Sequence, residues 1–163
     1  MKKQIFLFGV MAALALAGGA SARAEGAAFL AILSGDNEVP ANNSVSRGIA
    51  IFRLADDGTT VHYTLIVANL KNPVAAHIHT GAAGVNGPVV VPLFNGPPAG
   101  GRFSGILAEG TFTATPELLA DLAGGNMYVN VHTNDGVAPP GTGPGDIPSG
   151  EIRGQVFAVS EEE

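Results

Sequence analysis

An all-β sandwich or barrel of eight strands is the fold class this sequence predicts, and three observations predict it. Beyond residue 24 apolar and polar residues alternate with a period of two. Glycine and proline interrupt that alternation every ten residues or so, the spacing of short strands joined by turns. Helix-forming text is confined to one short run, residues 116–123.

The elements follow in order. Residues 1–24 stand outside the fold. Lys2 and Lys3, an apolar run from Ile5 to Ala17 and the small-residue text "GGASARA" read as a secretory signal peptide, cleaved after Ala22 or Ala24. The expected location is therefore secreted or periplasmic. The apolar run is shorter than the roughly 20 residues a membrane span needs, and no later stretch approaches that length. No membrane insertion is expected. Residues 25–159 form one domain, and 160–163 a solvated acidic tail.

Strands are predicted near 27–34, 46–54, 60–69, 74–79, 88–94, 102–113, 126–133 and 150–159. The second and third are joined through Asp56-Asp57-Gly58, whose Asp-Gly pair suits a tight hairpin. In "TPELLADLAGG" Thr115 is an N-cap, Pro116 fits the first helical position and Gly124 is a C-terminal stop. The segment "TNDGVAPPGTGPGDIPSG", 133–150, is too rich in glycine and proline for regular structure and too long for an ordinary turn. It is read as a surface loop with a role or as a disordered tip.

Charge and composition exclude several function classes. Removing 1–24 leaves five basic residues against fourteen acidic ones, too few to form a stripe that displaces counterions from nucleic acid or that adheres to an anionic membrane. With no cysteine the chain has no disulfide, thiolate ligand or lipid-anchoring thiol, so stability must come from a packed core. The serines lack a G-x-S-x-G setting, and no phosphate-binding or dinucleotide fingerprint is present.

Alternation sorts the remaining polar side chains. In "VAAHIHT" Val74, Ala76 and Ile78 share one face, and His77 and His79 the other. In "NMYVNVHT" Met127, Val129 and Val131 turn inward, leaving Tyr128, Asn130 and His132 together. In "GEIRGQV" Ile152 and Val156 turn inward, leaving Glu151, Arg153 and Gln155. If those strands adjoin, His77, His79 and His132 form an imidazole-rich set suited to copper or zinc, with Tyr128, Asn130, Glu151 and Arg153 behind them. The competing reading is that the histidines only tile a polar sheet face. His62, in "TVHYTLIV", is read as a surface or supporting histidine, a fourth ligand only if its strand adjoins the others. Glu38, in "LSGDNEVP", is read as pairing with Arg153 to pin a strand end.

The texts "LSGDNEVPA", "AHIHTGAAGVNGPVVVPL", "YVNVHT" and "GEIRGQV", in that order across roughly 27–159, resemble the CHRD domain, a module found in many exported bacterial proteins. The resemblance implies a module more than a reaction. The order of features is also similar, more distantly, to copper–zinc superoxide dismutase, which implies an antiparallel Greek-key sandwich. By that resemblance His77 and His79 match the copper-binding pair, His132 a later copper ligand and, loosely, Arg153 the active-site arginine. The dismutase zinc loop is replaced by the brief "TGAAGVNGP", which leaves no zinc set and implies one copper ion at most.

The function read from the sequence is an exported binding module, not an enzyme in the first instance, that holds one copper ion through three histidines. Two alternatives stand beside it: a metal-free structural or protein-interaction domain, and a copper-dependent redox enzyme similar to the dismutase. No protein partner is identified.

Overall fold

A computed structural model of the chain describes residues 26–159. The signal-peptide reading, its cleavage positions and the acidic tail 160–163 lie outside the described residues. Eight strands form where alternation predicts them: β1 (Ala28–Ser34), β2 (Arg47–Leu54), β3 (Thr60–Lys71), β4 (Pro73–Thr80), β5 (Val89–Asn95), β6 (Arg102–Thr113), β7 (Met127–Thr133) and β8 (Ile152–Val159). One helix, α1 (Pro116–Ala123), precedes β7, and a single 3-10 turn, Gly35–Asn37, follows β1.

All the pairings are antiparallel, in the order β5-β4-β7-β8-β1-β2-β3-β6. The sheet curls into a nearly closed barrel whose ends, β5 and β6, approach one another. With β7 returning to lie beside β4, the strands β4, β5, β6 and β7 form a Greek key. Tyr63 on β3 reaches across the seam and donates its hydroxyl to the Leu93 carbonyl of β5 at 2.9 Å.

The inward side chains fill the barrel. Phe29, Ala31 and Leu33 of β1 meet Ala50 and Phe52 of β2, Val61, Leu65 and Val67 of β3, and Ile78, Val129, Val131, Ile152 and Val156 from the other side. Each large apolar side chain buried there contributes roughly 1.5–3 kcal/mol before conformational entropy is subtracted.

Local signals mostly fall where predicted, with two shifts of detail. Thr115 accepts the Leu118 amide at 3.2 Å, and Pro116 opens α1. Gly124 caps α1 as expected, but the left-handed conformation falls one residue later, at Gly125 (φ +69°). In the β2–β3 connection only Gly58 has positive φ. Asp57 instead accepts the amides of Thr59 and Thr60 and the Thr60 hydroxyl, so a side chain shapes this turn as much as the Asp-Gly pair does. The long 133–150 segment is folded back on the sheet, with Asp146 accepting the Thr142 amide and hydroxyl.

The assignment of faces is open to direct test. Val129 is fully buried, so Val129→Asp places a carboxylate in the core without a partner and should cost more than about 3 kcal/mol. Ile32→Ser, on a side chain 57% exposed, should cost less than about 1 kcal/mol. Urea denaturation of the two variants makes the comparison, and the reverse order would show the faces to be inverted.

Candidate metal centre

Register brings the polar side chains together. β4 pairs with β7 so that His77 lies opposite Asn130 and His79 opposite Tyr128, while β7 pairs with β8 so that Asn130 lies opposite Arg153 and Tyr128 opposite Gln155. Two polar rows therefore run across three adjacent strands, and His132 stands one step along β7 from the first row, beside His77.

This face is not solvated, although alternation alone would place it in water. Tyr128, Asn130, Glu151 and Arg153 are each less than 5% exposed and His79 is 8% exposed. The 35–46 segment, the 81–87 turn and the 133–150 loop cover the face. Asn86 donates to the Val39 carbonyl at 2.8 Å, joining two of these covers to each other. Gln155 ties the third side down by donating to the carbonyls of Gly81 and Gly125.

Glu151 anchors two of the covers. Its Oε1 accepts the Ser44 hydroxyl at 2.6 Å and lies 3.0 Å from the Ser46 hydroxyl, which it shares with the Asn69 carbonyl. Its Oε2 accepts the Thr133 hydroxyl and the Gly145 amide, both at 2.6 Å. A buried carboxylate so supplied with donors is tolerated, whereas the same group without them is strongly destabilising.

The three histidines converge. One ligand nitrogen from each of His77, His79 and His132 lies within 4.8 Å of the others, and His77 Nδ1 is 3.2 Å from His132 Nε2. Backbone carbonyls fix two of the tautomers. His132 Nδ1 donates to Pro148 O and His79 Nδ1 to Gly87 O, both at 2.9 Å, since a carbonyl can only accept. Both rings thereby carry their lone pair on Nε2, with no partner at His79 and only the His77 ring as partner at His132, the arrangement seen when a metal-bound imidazole is oriented through its other nitrogen. His77 then donates its Nδ1 proton to His132 Nε2, and offers that nitrogen to an ion only by moving the proton to Nε2.

The donor set fits a metal on a further ground: His79 Nε2 is buried and has no hydrogen-bond partner. Gly87 is essential to that orientation, because its carbonyl must approach His79 closely and a Cβ at this position would overlap the Thr80 carbonyl. The Tyr128 ring stacks on His79 with centroids 4.8 Å apart and planes 10° from parallel.

The electrostatics keep the rings neutral. Burial pushes the His132 imidazole down to about 4, and the neighbouring histidines add to the effect against the Pro148 hydrogen bond. Burial also lowers His77, with help from His79. It lowers His79 as well, opposed by the Gly87 hydrogen bond and assisted by Arg153. Burial raises Glu38 to about 7 against the pull of Arg153.

One expected pairing is corrected. Glu38 does not form a direct ion pair with Arg153. Its hydrogen bond is from Asn130 at 3.4 Å, and Arg153 donates instead to Asn86 Oδ1 and to the carbonyls of Ala82 and Val85, so Glu38 and Arg153 act on each other only through space. His62 is exposed on β3, paired in register with Arg53 and Thr111, and stands apart from the cluster. Sequence reasoning missed Ser44, Ser46, Thr133, Gly87 and Pro148, which hold the site through contacts distant in the chain. The i, i+2 spacing of Asn42, Ser44 and Ser46 ahead of β2 was the one available signal.

The family model described as CHRD domain matches residues 29–142, a span that includes all three histidines and ends before Glu151 and Arg153. No curated protein and no solved structure matches the chain.

Two outcomes follow from the buried charges. Glu151→Gln replaces one acceptor oxygen by a donor facing donors, and should lower stability by roughly 2–4 kcal/mol while speeding hydrogen exchange of the Gly145 amide. Unchanged exchange at Gly145 would remove Glu151 as the anchor. Between pH 6.5 and about 4 the unfolded chain binds protons that the folded His132 refuses, so stability falls as pH drops through that window. Glu38 acts the other way, since its raised value makes a contribution present below 4.5 and lost as pH rises through about 7. Stability measured by denaturation should therefore fall more steeply from pH 7 to 4.5 in Glu38→Gln than in the parent protein, and a shallower fall would contradict the assignment.

Proposed function

The chain belongs to the CHRD domain family, and on that premise we propose that residues 25–159 form an exported binding module holding one copper ion between His77, His79 and His132. The observation that carries this reading is the unpartnered, buried Nε2 of His79 beside two other imidazoles whose nitrogens lie within 4.8 Å. A buried nitrogen left without a partner costs stability, and an ion supplies that partner. Imidazole suits copper, and bound copper supplies one-electron redox chemistry.

The chain's own residues prepare the site. The carbonyls of Gly87 and Pro148 hold His79 and His132 with their Nε2 atoms toward the cluster, Tyr128 fixes the plane of the His79 ring, and the covering loops keep the rings neutral. Binding is preferred to dismutase-like catalysis on a specific ground. Arg153, loosely matched to an arginine that would draw an anion to the metal, is 1% exposed and lies behind Tyr128, so it does not stand beside the position an anion would take at the ion.

A metal-free interaction module remains the second reading, favoured by one feature of the outer barrel wall. Leu30, Ile32, Ile49, Ile51, Ile66 and Phe157 lie on neighbouring strands in pairing register, and Ile32 and Phe157 are among the exposed large apolar side chains. Exposed apolar area of that kind marks interaction surfaces.

Copper titration followed by calorimetry decides between the two. The parent protein should take up one equivalent, and His77→Ala with His79→Ala none, while the double variant keeps a cooperative unfolding transition because its core is untouched. Affinity should fall as the rings protonate, and because burial lowers all three imidazoles the fall should lie to the acid side of the ordinary 6.5. Equal uptake by the double variant would remove the histidines as ligands.

A further inference from the structure

Taking the three-histidine centre as a copper site, we propose that the buried guanidinium of Arg153, seated behind Tyr128 and His79, biases that centre toward monovalent copper over divalent copper. The arrangement is layered. The Arg153 guanidinium carbon lies 3.4 Å above the Tyr128 ring centroid, and the Tyr128 ring stacks on His79 at 4.8 Å. The charge thus stands roughly 8 Å from the His79 ring with only an aromatic layer between them.

Nothing nearby cancels that charge by contact. Arg153 is 1% exposed, and its hydrogen bonds go to one amide oxygen and two backbone carbonyls. Glu38, the carboxylate that acts on it, does so without an ion pair. The three candidate ligands are neutral imidazoles, and no carboxylate belongs to their group. An ion bound there meets a positive charge that is fixed and buried, offset only at a distance by Glu38, and each added unit of ionic charge is penalised again.

The size of the bias follows from Coulomb's law. At about 10 Å and an effective dielectric of about 20, one extra unit charge changes the ratio of the two affinities by roughly tenfold. Arg153 touches no ligand nitrogen and acts at a distance, so its effect should appear in the preference between oxidation states and not in the number of ions bound.

The experiment measures copper(I) affinity against bicinchoninate and copper(II) affinity against nitrilotriacetate at pH 8, for the full chain and three variants. Arg153→Gln should raise copper(II) affinity relative to copper(I) about tenfold, which lowers the one-electron potential by about 59 mV. Arg153→Lys keeps the charge and should stay within about threefold of the parent ratio. Glu38→Gln removes a carboxylate that is ionised at pH 8 and should move the ratio the opposite way, toward copper(I). If Arg153→Gln does not fold, the direction of change in Glu38→Gln decides alone. Ratios unchanged within twofold in the folded charge variants would overturn the role of Arg153 while leaving the copper site standing. Failure of the folded parent to bind either ion would overturn both.

Discussion

The buried carboxylate of Glu151 is the constraint from which the rest of the polar face follows. It sits at the foot of β8 and accepts hydrogen bonds from Ser44 before β2, Thr133 at the end of β7 and Gly145 in the long loop. These segments are far apart in sequence, and each by itself would be free to lie elsewhere. An ionised carboxylate is too costly to bury without donors, so folding the barrel obliges all of them to close over the same sheet face. The Asn42 amide adds a further tie, donating to the Glu151 carbonyl at 3.0 Å. The covers exist because the charge must be satisfied.

Closure over that face changes the chemistry of the side chains beneath it. Histidines on an open sheet would titrate near 6.5 and rotate freely. Here burial lowers all three, and two take their tautomers from carbonyls that the covering segments supply, Gly87 from one loop and Pro148 from another. The same closure buries Arg153 and turns it from a surface cation into a fixed source of potential behind the cluster. A protein interior that keeps imidazoles neutral, oriented and one of them short of a partner is suited to receive an ion without large rearrangement.

Much of this was legible from alternation. A period of two places Ile78, Val129, Val131, Ile152 and Val156 in the barrel and His77, His79, Tyr128, Asn130 and His132 opposite them, and it does so without knowledge of strand order. Adjacency of β4, β7 and β8 was a condition that the sequence left open, because strand pairing in a Greek key is decided by contacts distant in the chain. The burial of the polar face was not legible at all. Loop 133–150 reads as glycine and proline punctuation, and its anchoring depends on one amide, that of Gly145, meeting a carboxylate six residues away. Glu38 illustrates the limit: opposite charges suggested an ion pair with Arg153, yet each found neutral partners first.

The central claim is that three imidazoles on β4 and β7 are preset to share one ion. X-ray absorption of the copper-loaded full chain at the copper edge tests it most directly, because scattering from imidazole rings is distinguishable from that of carboxylate or water oxygen. Three nitrogen neighbours at about 2.0 Å, with the outer-ring scattering of three imidazoles lost together in His77→Ala with His79→Ala, are the result predicted. A first shell of oxygen alone, or a spectrum that the double substitution leaves unchanged, would contradict it.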